Sequence, residues 1–160
     1  MSVTADQLLN DALAGKVNPV YVCYGPEQYR LNSFIERMTA ALLPEEARDF
    51  AQSKYDLSQT PLDAVLDDAE TAPFLAGYKV ILARQADFFS GARNGKIEHN
   101  LDRLHDYLQA PSKHSVIFFV TDSEKLDERK KVTKKLKSMQ AAAAFHDLTE
   151  KELISWVEQQ

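Results

Sequence analysis

The sequence predicts an α/β domain: a five-stranded parallel sheet with helices on both faces. Five short apolar runs alternate with segments of helical period, the arrangement that crossover connections between parallel strands require. Two of the runs, YKVILAR (78–84) and SVIFFVT (115–121), are apolar nearly throughout, as in strands covered on both faces. A third run, Val20 to Tyr24, stops at Gly25-Pro26 and passes at once into a helix pattern.

The elements follow in order. A first helix is expected from Thr4 to Ala14, with Thr4 and Gln7 as a capping box and Gly15 to end it. Strand one is Val20–Tyr24. The second helix carries Leu31, Phe34, Ile35, Met38 and Leu42 on one face and stops at about Leu43, before Pro44. A weaker strand spans Asp49 to Tyr55. Thr60 and Pro61 read as N-cap and first residue of a helix with Leu62, Val65, Leu66 and Ala69 inward. The strand YKVILAR comes next, and 90–95 is expected to be a disordered loop. Ile97, Leu101, Leu104 and Leu108 mark a helix closed by Pro111, ahead of SVIFFVT. A basic helix is expected from about Glu128 to Met139 and a last strand near Ala142–His146. Thr149 and Glu152 then box a final helix bearing Leu153, Trp156 and Val157. That helix has no C-terminal cap and Trp156 has no obvious packing partner, so the chain is expected to be part of a longer protein.

With 160 residues, 44% hydrophobic and 27% charged, the composition is that of a globular domain with a sizeable core. No apolar run is long enough to span a bilayer, and the N-terminus has neither the basic start nor the apolar core of a signal peptide, so cytoplasmic localisation is expected. Cys23, the only cysteine, lies inside strand one and is expected to be a small buried apolar residue. The net charge of −5 is uneven. Between Ser123 and Gln140, seven basic residues face three acidic ones, giving +4 and leaving −9 for the rest. Such asymmetry suggests a local anionic partner.

Strand, glycine turn and helix is where a phosphate-binding loop would sit, but its chemistry is missing. A P-loop needs a second glycine, a lysine for the phosphates and a hydroxyl for magnesium. The turn Gly25-Pro26-Glu27 has no second glycine and no lysine, and Glu27 would repel a phosphate. Strand YKVILAR should end in the carboxylates of a metal site, yet it ends in Ala83-Arg84-Gln85, with Asp87 the first acid after it. Two independent losses argue against ATP hydrolysis. The histidines, His99, His105, His114 and His146, are scattered, with no pair at ligand spacing, so neither a metal nor a cofactor is expected.

Three other features stand out. Pro73-Phe74-Leu75 sits where a helix breaks before a strand. The apolar pair either tucks under the sheet edge or stands out as a wedge for a partner's pocket. Arg129, Lys130, Lys131, Lys134 and Lys135 form either a solvated face or a contact with phosphates or an acidic neighbour. Phe88-Phe89 reads as core or loop-anchoring aromatics.

Taken together these features resemble one family, the delta subunit of bacterial DNA polymerase III. The matching stretches are Pro19-Val-Tyr-Val-Cys-Tyr-Gly-Pro-Glu27 and Glu70-Thr-Ala-Pro-Phe-Leu-Ala-Gly-Tyr-Lys-Val-Ile81. Val116-Ile-Phe-Phe-Val120, Asp127-Glu-Arg-Lys-Lys131 and Phe145-His-Asp-Leu148 follow, and the likeness runs from about Asn18 to Gln160. Gly77-Tyr78 departs from the more charged residues often found after the apolar pair.

The resemblance implies an AAA+-like N-terminal domain with a degenerate nucleotide site over 1–146, followed by the first helix of a second domain over 147–160. It implies a subunit of the clamp loader, without catalysis of its own, in a DNA-directed DNA polymerase holoenzyme. Phe74 and Leu75, with Pro73 beside them, fall where the family inserts an apolar pair into the sliding clamp, the beta subunit, to help open it for loading onto primed DNA. The other implied partners are the delta-prime and tau/gamma subunits, and DNA through the assembled complex. A degenerate nucleotide-binding or DNA-binding module of the same fold is the competing reading.

Overall fold

The computed structural model describes residues 4–73, 77–90 and 97–146. Phe74 and Leu75, the expected loop after Ser90 and the final helix therefore lie outside the described residues.

Helix α1 (Ala5–Leu13) opens with the expected capping box: Thr4 Oγ1 accepts from Gln7 N at 3.1 Å, and Gln7 Oε1 accepts from Thr4 N at 3.0 Å. Strand β1 (Val20–Tyr24) and helix α2 (Gln28–Leu42) stand where their patterns put them. The next strand differs from expectation. Pro44 starts a 3-10 turn (Glu45–Ala47) that runs into the short helix α3 (Arg48–Ala51), so strand β2 is Gln52–Asp56. Asp49 and Phe50 are exposed on this added turn; two glutamates after a proline favour a helical start over an extended chain.

Helix α4 is Leu62–Glu70, and Pro61, not Thr60, occupies its N-cap. A proline offers no side-chain acceptor, so the cap comes from elsewhere: Leu62 N donates to His99 Nδ1 at 3.0 Å. Strand β3 (Lys79–Arg84) leads into a 3-10 turn (Asp87–Phe89). Helix α5 is Leu101–Gln109 and does not reach back to Ile97, because Asn100 caps it by accepting from Arg103 N at 3.1 Å. Strand β4 is Ser115–Thr121. Helix α6 is Lys131–Ser138, shorter at its start than expected: the Asp127 carboxylate accepts from Arg129 N and holds 127–130 as a turn. Strand β5 is only Ala142–Ala144.

The five strands are parallel, in the order β2-β3-β4-β1-β5. Their period of two divides the core into two layers. Val20, Val22, Ile81, Ile117 and Phe119 face α4, α5 and α6, whereas Tyr21, Cys23, Leu82, Phe118 and Val120 face α1 and α2. The α/β class, the five parallel strands and the helices on both faces are thus as the sequence predicts. Phe88 and Phe89 are buried in the first layer, with Phe89 packing edge-on against Phe119 at 5.4 Å. Cys23 is fully buried in the second, and burial pushes its thiol pKa up.

Candidate functional site

The crevice at the carboxyl end of the sheet is where an open α/β fold binds nucleotides. Here the backbone at the end of β5 closes onto the turn after β1. Gly25 has φ of 130°, and a β-carbon there would meet the Phe145 backbone. Phe145 O accepts from Glu27 N at 3.0 Å, and Phe145 N donates to Tyr24 O at 2.7 Å. The Glu27 carboxylate accepts from Tyr29 N at 3.2 Å and caps α2. Gln28 Nε2 closes the turn onto Gly25 O at 2.7 Å. The amide at Glu27 is therefore spent on protein, and an anionic side chain occupies the helix start that a phosphate would use. Pro26, between them, has no N–H to offer.

The metal side of the crevice is altered in the same sense. Arg84 ends β3 and donates to Asn32 Oδ1 on α2 at 2.8 Å. Asp87, the first acid beyond it, accepts from Thr121 Oγ1 at 2.7 Å. Among the described residues no group of three or more His, Cys, Asp or Glu side chains is placed to hold a metal ion.

At the opposite end of the sheet α4 stops at Glu70, with Thr71 as its C-cap. Lys79 and Asp68 form a largely buried ion pair there, 2.8 Å apart, with 12% and 16% of their side chains exposed. Tyr55 OH donates to the other carboxylate oxygen of Asp68 at 2.7 Å. Burial pulls the Asp68 pKa upward, but hydrogen bonds from Lys79, Tyr55 and Ser53 outweigh it and leave the carboxyl below its usual value. Burial and the neighbouring carboxylate push Tyr55 up to about 12.

Helix α6 sorts the basic cluster. Arg129 pairs with Asp127 at 3.0 Å, Lys130 donates to Phe88 O and Lys137 pairs with Glu128. Lys131, Lys134 and Lys135 share the opposite, outward stripe, while Val132 and Leu136 turn into the core.

Comparison with known proteins decides the family. Residues 21–145 match the family model described as DNA polymerase III, delta subunit. The chain belongs to the DNA polymerase III delta subunit family. A curated relative, DNA polymerase III subunit delta of Bacillus subtilis, is 38% identical over 139 residues, covering 86% of this chain and 40% of the relative. The solved structure of a Bacillus subtilis DNA clamp loader delta protein superposes with a TM-score of 0.87 at 34% identity, over 96% of this chain and 45% of that one. The chain thus spans less than half the length of these delta proteins. A gamma subunit-related protein of DNA polymerase III from Thermotoga maritima shares the fold alone, with a TM-score of 0.57 at 13% identity.

Within this delta-family fold, Gly25, Pro26 and Glu27 come together with Phe145, a partner that no local pattern could reveal. Pro73 is described and lies at the root of the apolar pair, whereas Phe74 and Leu75 lie outside the described residues. Of the basic residues, the structure groups Lys131, Lys134 and Lys135 and separates Arg129 and Lys130 from them by their own pairings. Sequence reasoning missed His99, Asp68 and Lys79. The only signal for the ion pair was Lys79 itself, a lysine at the mouth of an otherwise apolar strand.

Proposed function

We propose that this chain is the clamp-binding part of a clamp-loader delta subunit. It docks Phe74 and Leu75, flanked by Pro73, into the sliding clamp (the beta subunit) and helps open it for loading onto primed DNA. The observation that carries this reading is the turn after β1, in a chain of the delta family: Glu27 N is bonded to Phe145 O, and the Glu27 carboxylate caps the start of α2. Fold alone does not imply hydrolysis, and a turn without phosphate chemistry supports a binding role. Residues 1–146 form a degenerate AAA+-like domain, and 147–160 begin the next one. The delta-prime and tau/gamma subunits are its partners in a cytoplasmic loader, where the ATP-hydrolysing subunits do the chemistry. No described helix is long and apolar enough to cross a membrane, which fits that setting.

The wedge can act only by binding the sprung clamp more tightly than the closed one. Each apolar side chain buried in a pocket would contribute roughly 1.5–3 kcal/mol. Calorimetry of the intact protein against its sliding clamp, beside a Phe74→Ala, Leu75→Ala variant, tests the reading. Micromolar or tighter binding that the variant loses is expected; no binding by the unsubstituted protein would overturn it. ATP should leave the thermal midpoint unmoved, since a ligand that binds the folded state would raise it.

The stripe of Lys131, Lys134 and Lys135 supports a second contact, with DNA phosphates, once the loader is assembled. Among the described residues none of the three makes a hydrogen bond or ion pair through its side chain, in contrast to Arg129 and Lys137 beside them.

A further inference from the structure

One side chain holds both ends of the connection between α4 and β3. Lys79 opens β3, and its ammonium reaches back over the end of α4. Nζ donates to Asp68 Oδ1 at 2.8 Å, to Asp68 O at 2.9 Å and to Thr71 O at 3.0 Å. These acceptors use every proton an ammonium has. Thr71 O also accepts from His114 Nε2 at 3.1 Å, and Thr71 Oγ1 donates to Asp67 O at 2.8 Å. Ser115 Oγ donates to Ala69 O at 2.7 Å. The start of β3 is tied down in turn, with Lys79 N donating to His114 O at 2.7 Å.

Helix ends ordinarily leave their last carbonyls to water or to a glycine cap. Here Thr71 follows α4 in an extended conformation, φ −82° and ψ 133°, and side chains from β3 and β4 take over those carbonyls. A buried ion pair adds little net stability, because desolvation offsets its attraction. What it adds is geometry. Thr71 and Lys79 are thereby tied to each other, and Gly77, with φ of 117°, precedes the start of β3.

We propose that Lys79, together with Asp68 and His114, is a positioning residue for partner binding: it fixes both stems of the segment that carries Pro73, Phe74 and Leu75. This rests on the clamp-binding reading and deepens it. Binding loses affinity to every loop that must be ordered on contact, and stems already fixed reduce that loss.

The test uses the intact protein and its sliding clamp, well below the unfolding midpoint of each variant. Lys79→Met removes the donors and leaves Asp68 buried without its partner, so a Lys79→Met, Asp68→Asn variant accompanies it and keeps the test valid if the single variant fails to fold. Both variants are expected to bind the clamp about tenfold more weakly while binding the other loader subunits unchanged. Amide hydrogen exchange at Ala72, Gly77 and Tyr78 should quicken, with α1 and β1 unaltered. A role confined to global stability would not move either readout at that temperature. Unchanged clamp affinity in the double variant, with binding still lost in Phe74→Ala, Leu75→Ala, would overturn this inference and leave the clamp reading standing. Absence of clamp binding by the unsubstituted protein would overturn both.

Discussion

A β-carbon placed on Gly25 would stand 2.0 Å from the carbonyl oxygen of Phe145. That oxygen is not free to retreat, because it accepts from Glu27 N while Phe145 N holds Tyr24 O. Gly25 therefore joins β1, α2 and the end of β5 at one point, and its positive φ suits glycine alone.

Gly25→Ala should accordingly be among the most damaging single substitutions in the chain. The backbone conformation alone costs on the order of 1–3 kcal/mol for a residue with a β-carbon. The clash with Phe145 adds to that by forcing β5 away from β1. Urea denaturation of the intact protein should show a loss of at least about 2 kcal/mol. A loss under about half a kcal/mol would mean the turn can open, and with it the crevice.

His99 should make stability fall in mild acid. Its Nδ1 accepts from Leu62 N and its Nε2 donates to Leu57 O, both at 3.0 Å, so the ring is held neutral in one tautomer. Burial lowers its pKa, against the pull of the Leu57 carbonyl and of Asp63. With the folded pKa below the ordinary value of about 6.5, the unfolded chain takes up the proton first. This contribution to stability is complete above that value and declines as pH falls through it. Denaturation at about pH 7.5 and about pH 5.5 should show the decline. His99→Asn keeps an acceptor on the shorter side chain but cannot titrate, so it should be less stable at the higher pH and show a flatter slope. Equal slopes would exclude His99 as the source.

The lysine stripe makes a prediction that salt can read. If Lys131, Lys134 and Lys135 each meet a phosphate, replacing all of them with glutamine should weaken DNA binding by the assembled loader. The slope of log affinity against log salt should shrink by roughly 2–3, at about 0.9 for each phosphate left without its lysine. Fluorescence anisotropy with a primed duplex over a salt series measures it. An unchanged slope would assign the stripe to solvent.

The relation between sequence and structure differs from element to element. Val20–Tyr24 and Ser115–Thr121 are legible to the residue, because an unbroken apolar run between turn signals has few other uses. The capping box at Thr4 is legible because both of its partners lie within one turn. The start of α4 departs from its pattern for the opposite reason: the residue that caps Leu62 is His99, 37 positions away. The pattern also begins α6 too early, because a turn built by Asp127 looks, in composition, like the first turn of a helix.

The candidate site divides along the same line. By itself the sequence determined that the turn after β1 lacks the chemistry for phosphate, that β3 ends without a carboxylate pair, and that an apolar pair follows a broken helix. These are properties of residue type and spacing, which local pattern reports. Only the tertiary structure decided the strand order, the contact of Phe145 with the turn after β1, which of the described lysines pair with described residues, and the hold of Lys79 on Thr71 and Asp68. Each of those depends on which distant segments meet. Periodicity records that a side chain is buried but not what it is buried against, and the sheet supplies that information by bringing β3, β4 and the end of β5 to helices far away in the chain.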